Sequence, residues 1–113
     1  MNTQTENLVR SLKRLSIEQE CKLWKRIASD LEKPSRSRRL VNVYKLENYA
    51  KDGEVVIVPG KVCGDGEFSK KVTVAAFQFS ESARAKIAKS GKAITIPELM
   101  KDNPKGKKVR ILG

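Results

Sequence analysis

The chain of 113 residues has no histidine and only two cysteines, Cys21 and Cys63, set far apart. Without imidazole the usual general base near neutral pH is missing. The carboxylates are scattered among lysines with no recognisable pair, so no catalytic residue is expected. No Cys-x-x-Cys occurs, which argues against a structural zinc site. The cysteines read as small buried hydrophobes of a reducing compartment. Aromatics make up 5%, and Phe68, Phe77 and Phe79 do not form the paired stacking motif of single-strand RNA modules. No apolar run approaches the ~18–20 residues of a membrane span. The opening "MNTQTENLVR" lacks the basic-then-apolar layout of a signal peptide.

What the chain has is positive charge. Twenty-four Lys and Arg against thirteen Asp and Glu leave +11, an excess that calls for a polyanionic partner. The charge is clustered. "KPSRSRR" (Lys33–Arg39) and "KGKKVR" (Lys105–Arg110) each carry four positive charges and no acid, whereas "LENYAKDGE" (Leu46–Glu54) carries three acids and one lysine. A length of this order suits one domain that buries roughly 65% of its unfolded surface.

Leu8, Val9, Leu12 and Leu15 recur at helical spacing and predict an amphipathic helix over about 4–15, with Arg10, Lys13 and Arg14 facing outward. "SIEQ" (Ser16–Gln19) reads as a capping box. It would open a second helix over about 17–32, with Ile17, Cys21, Trp24, Ala28 and Leu31 on one face and Trp24 as a core anchor. Pro34 and the serine–arginine run then form an exposed connector. A short helix is expected from Asn42 as cap to Gly53 as end. "EVVIVPG" is a strand closed by Pro59–Gly60, and "KKVTVAAF" is a second strand. Ser80 caps a helix that Gly91 ends in a left-handed conformation. "KAITI", a helical turn at Pro97 and "KVRIL" follow. The fold class is α/β: a small mixed sheet with flanking helices in an irregular strand-strand-helix arrangement, preceded by an N-terminal helical hairpin. One domain is expected over 1–113, with a hairpin over 1–33, a basic connector over 34–40 and an α/β core over 41–113.

Three glycines (Gly60, Gly64, Gly66) and three lysines (Lys61, Lys70, Lys71) lie between the two apolar strands. The spacing fits neither a P-loop nor a dinucleotide fingerprint. The segment leads into a strand rather than a helix, and Asp65 and Glu67 occupy the place of a substrate phosphate. The expectation is a flexible turn flanked by lysines that reach a nucleic-acid backbone, with glycine amides able to donate as well.

Taken together, "VVIVPGKVCGDGEFSKKVTVAAFQFSESARAKIAKSG", "VNVYKL" and the closing "NPKGKKVRIL" resemble the large-subunit ribosomal proteins of the archaeal and eukaryotic L18e family. That family is related to the C-terminal part of the bacterial L15 family. The resemblance rests on Lys61, Gly64-x-Gly66, Val72 and Val74, Phe79-Ser80, Ala83, Ile87 and Gly91 at fixed spacing, and it covers essentially the whole chain. Cys63 stands where a larger aliphatic is usual, Phe68 where leucine is common, and Ser35 where another basic residue is expected. The resemblance implies a structural component of the large ribosomal subunit in the cytoplasm that binds ribosomal RNA and neighbouring proteins, with no enzymatic activity, cofactor, metal, small-molecule substrate or membrane.

The residues expected to bind RNA are Arg36, Arg38 and Arg39 first, then Lys61, Lys70 and Lys71, then Lys105, Lys107 and Lys108. Arg10, Lys13 and Arg14 would meet RNA or a neighbouring protein. The alternatives are a basic DNA-compacting chromatin protein, which leaves the glycine segment without a role, and a nucleotide-dependent RNA-modifying enzyme, which requires a nucleotide at that segment.

Overall fold

The computed structural model describes residues 3–33 and 39–112, Arg39 by its backbone alone. Helix α1 (Thr3–Gln19) buries Thr5, Val9 and Leu12 along one stripe, and α2 (Lys22–Glu32) buries Trp24, Ile27, Ala28 and Leu31. The boundary between them falls later than the capping box implies. Ser16 is still helical, and its hydroxyl donates to the Cys21 carbonyl at 2.8 Å rather than capping α2. The chain turns at Glu20, whose φ is +51°. Cys21 N–H donates to Ser16 O at 3.0 Å and Glu20 N–H to Ile17 O at 3.4 Å, the bond pair of a Schellman stop. Ile17 therefore belongs to α1, where it is 79% exposed, not to the buried face of α2. A left-handed residue with a Cβ is strained. Glu20→Gly is therefore expected to raise unfolding stability by about 0.5–1 kcal/mol in chemical denaturation.

The other elements are β1 (Arg39–Asn42), α3 (Val43–Tyr49), β2 (Val55–Cys63), β3 (Thr73–Phe79), α4 (Glu81–Ser90), β4 (Lys92–Thr95), α5 (Ile96–Asp102) and β5 (Val109–Ile111). The chain is α/β as expected, but the sheet is not mixed: every pairing among the described strands is parallel, because each connection crosses back before the next strand. Strand β2 is central: β3 takes one edge, while β5 (opposite 55–57) and β1 (opposite 60–63) share the other. Its successive residues face two cores. Val56, Val58 and Val62 pack with α3 and α4; Ile57 joins α1, α2 and α5. Covering on both faces explains the uninterrupted "VVIV" run. The N-terminal hairpin thus forms one layer of the core.

Three local expectations are corrected. Asn42 does hold the N-cap position of α3, though its side chain makes no capping bond, but Gly53 does not end the helix, which stops at Tyr49 with Ala50 as its C-cap. Pro59–Gly60 does not end its strand. The register slips between Val58 and Lys61, a bulge that accommodates a proline without an amide hydrogen. Gly91 is not left-handed (φ −135°); a Cβ there would lie 2.1 Å from the Val72 carbonyl oxygen, so its role is close approach. Ser80 does cap α4, accepting from Ala83 N–H at 3.2 Å.

The glycine segment is the largest difference. Because β2 and β3 are parallel from Val55↔Thr73 to Val62↔Phe79, the chain must return over roughly 23 Å between them. Residues 64–72 alone make that return. Nine residues span about 30 Å extended and only about 14 Å as a helix. The crossover is therefore taut and extended, not a flexible turn. Phe68 and Val72 are buried beneath it. Gly66, with φ +99°, passes so close to α3 that a Cβ would lie 2.6 Å from Tyr44 Cβ.

Candidate nucleic-acid interface

Two lysines at the crossover, Lys70 within it and Lys86 beside it, are used internally. Lys70 Nζ donates to the Ala50 carbonyl at 2.5 Å. Lys86, on α4, donates to the carbonyls of Gly64 at 2.5 Å and Gly66 at 2.6 Å. The intervening Asp65 carbonyl accepts Tyr44 N–H at 3.1 Å. Glu47 accepts the Ser69 amide at 3.0 Å and the Ser69 hydroxyl at 2.7 Å. These bonds, aided by the Lys70 charge, hold the Glu47 carboxyl below the usual carboxylate range. A depressed acid contributes stability that is complete above its unfolded pKa and lost as pH falls through the folded one. The Glu47 carboxyl is accordingly expected to titrate at lower pH than an unpartnered glutamate. NMR titration of Glu47→Gln against the unchanged chain should show the Ser69 amide response disappear.

Free lysines gather elsewhere. The registers align the starts of β2, β3, β4 and β5 in one row, Val109–Val55–Thr73–Lys92. Lys71, Lys92 and Lys108 are exposed along that row, and Lys51 is exposed on the turn beside it. The turn is tied in place by Gly53 N–H donating to Lys71 O at 2.7 Å. The acids of this rim are engaged: Asp52 accepts the Lys71 amide at 2.9 Å, and Glu54 pairs with Arg110 at 3.3 Å. Arg110 also donates to Tyr49 O at 2.8 Å, so Arg110 is a structural cation.

The C-terminal run lies next to this rim. Asn103 clasps Lys107 through both backbone groups, at 2.9 and 3.2 Å. Trp24 Nε1 donates to Pro104 O at 2.7 Å. Gly106 (φ +62°) lies against Cys21 and Leu23. The clasped turn exposes Lys105, Lys107 and Lys108 and brings them to the start of α2, where Lys22 and Lys25 are also exposed. Among the described residues no ion pair is formed by Lys71, Lys92, Lys105, Lys107 or Lys108. Reading by charge runs missed Lys22, Lys25, Lys51 and Lys92, because none lies in a long basic run and each reaches the rim only through strand register or the clasped turn.

The remaining expected residues are dispersed. Lys61 is exposed on β2 opposite Leu40 and Gln78, away from the rim. Lys13 pairs with Glu32 at 3.1 Å, and Arg14 lies 4.0 Å from Glu18. Arg10 is exposed on α1. Arg36 and Arg38 lie outside the described residues, as does the Arg39 side chain. Among the described residues no cluster of His, Cys, Asp and Glu is fit to hold a metal ion, and no helix is long and apolar enough to cross a membrane.

Comparison with known proteins gives this basic surface its setting. Residues 2–113 match the family described as "Ribosomal protein 60S L18 and 50S L18e". The large ribosomal subunit protein eL18 of Methanoregula boonei is 49% identical over 112 residues, covering 98% of this chain and 93% of the relative. The Methanococcus maripaludis protein of the same name is 46% identical with the same coverage. That of Thermoplasma acidophilum is 46% identical over 92% of this chain and 88% of its own length. With a full-length family match and relatives near half identity, the chain belongs to the ribosomal protein family of 60S L18 and 50S L18e.

Proposed function

We propose that the chain binds folded ribosomal RNA through the lysine rim at the strand starts and the clasped turn at 105–108. It is a structural component of the large ribosomal subunit and not an enzyme. The observation that supports the RNA reading is the division of the cations. Lys70, Lys86 and Arg110 hold protein carbonyls or acids, while Lys71, Lys92, Lys105, Lys107 and Lys108 project into solvent on connected elements. Lysines on phosphates release counterions, which gives affinity without base readout. Specificity then comes from the shape of a folded RNA site. Arg36, Arg38 and Arg39 are assigned to the same partner on the strength of their sequence run, and Lys61 adds a contact at the opposite end of the sheet. No observation favours the DNA-compacting alternative.

Binding of the chain to large-subunit ribosomal RNA, followed across salt concentration, tests the reading. With ~6–10 phosphates contacted, log K should fall against log salt with a slope of roughly −4 to −9. Arg36→Ala, Arg38→Ala and Arg39→Ala together should flatten it by about 2–3. A slope near zero in the unchanged chain would remove the RNA reading; an unaltered slope in the triple variant would remove only the arginine assignment.

A further inference from the structure

A continuous groove follows the seam between α1 and α5, on the sheet face away from α3 and α4. Its first end lies where β3 and β4 finish, lined by Gln4, Gln78 and Thr95. Here the chain leaves the two strands toward opposite faces: α4 buries Ala83 and Ile87 in one core, and α5 buries Ile96 and Leu99 in the other. Such divergence opens a crevice at strand ends, where open α/β sheets take ligands. Leu8, Pro97 and Met100 supply the apolar part of the groove's middle, which Gln4, Asn7 and Ser11 also line. The far end, a hollow of about 540 Å³, is bordered by Arg10, Arg14 and Lys101 around Leu15, with Glu18 as its one acid. Helical spacing sets Ile17 next along the Arg10–Arg14 stripe, and it is 79% exposed.

We propose that this seam docks an extended, acidic segment of another protein that also carries apolar side chains. The proposal concerns a different face from the lysine rim and does not rest on the RNA reading. Three features select the occupant. Leu8, Pro97 and Met100 give the floor an apolar patch suited to apolar side chains, beside the polar Gln4, Asn7 and Ser11. An extended peptide directs alternate side chains to opposite sides, so it can send apolar ones down to that floor and carboxylates up to the rim. Arg10, Arg14 and Lys101 against one glutamate make the rim complementary to acid rather than to base. The length also fits. From Gln4 to Glu18 helix α1 rises about 21 Å, room for roughly six extended residues.

A photo-crosslinking amino acid placed at Asn7, Ser11 or Ile17, all exposed, and carried into assembled large subunits tests the proposal. Sedimentation with the subunit confirms incorporation, and three positions keep the experiment independent of any one label. The expected adduct from each is one protein segment in which acids outnumber bases and apolar residues are interspersed. Arg10→Glu with Arg14→Glu should lower the adduct yield by about fivefold or more, the scale of two reversed rim charges. Adducts to ribosomal RNA, adducts to a neutral or basic segment, or no adduct from incorporated chains would each overturn the proposal. None of these outcomes bears on the lysine rim.

Discussion

Replacing Lys71, Lys105, Lys107 and Lys108 together with alanine is expected to weaken binding to large-subunit ribosomal RNA by two to three orders of magnitude near physiological salt. The magnitude follows from counterion release. Each lysine–phosphate contact contributes about 0.7–0.9 to the slope of log K against log salt, so four contacts contribute about 3. At ~0.15 M salt each contact is then worth roughly four- to fivefold in affinity. The informative control also removes cations. Lys70 and Lys86 donate to the carbonyls of Ala50, Gly64 and Gly66, and a group already holding protein oxygens is not free for phosphate. Lys70→Ala and Lys86→Ala should therefore leave the slope nearly unchanged and lower folding stability instead. Filter binding across salt, together with thermal unfolding, separates the two classes. A slope as steep in the four-lysine variant as in the unchanged chain would show that the rim does not meet RNA.

Trp24→Ala is expected to cost about 3–5 kcal/mol of unfolding stability, the scale of truncating a buried aromatic. Trp24 is 0% exposed and packs in the core shared by Ile27, Leu31, Ile57 and Leu99. Small domains have about 5–15 kcal/mol in total, so the loss removes a large share of the stability. Trp24→Phe separates packing from the hydrogen bond. It keeps most of the volume but loses the 2.7 Å bond from Nε1 to Pro104 O, a loss of about 1 kcal/mol. It should also free the 103–108 turn, seen as faster amide exchange at Lys107 and a modest fall in RNA affinity. Unchanged exchange at Lys107 would show that Asn103 alone holds the turn.

How much of this was legible beforehand can be judged element by element. The stripe Trp24–Ala28–Leu31 predicted both α2 and its buried face, because helical periodicity is a local property. Ser80 announced the start of α4 for the same reason. The capping box at Ser16 misled, since the same four residues fit a helix interior when a left-handed residue follows at Glu20. The candidate surface was half legible. The run 105–110 pointed to Lys105, Lys107 and Lys108, but Lys92 joins the rim only because β4 pairs beside β3 at Thr73. Lys70 looked free in sequence and is not.

The sequence by itself determined the α/β class, the places of most elements, the buried faces of the helices and the excess of positive charge. It also carried the family pattern over essentially the whole chain. These depend on residues within a few positions of one another, where periodicity, caps and β-branched runs act. Tertiary structure alone decided that β2 and β3 run parallel, which draws residues 64–72 into a taut crossover. It also decided which cations remain free. Lys70 meets the Ala50 carbonyl across 20 positions and Lys86 meets Gly64 across 22. Whether a lysine finds a carbonyl at that separation depends on chain path and register, which no local pattern encodes.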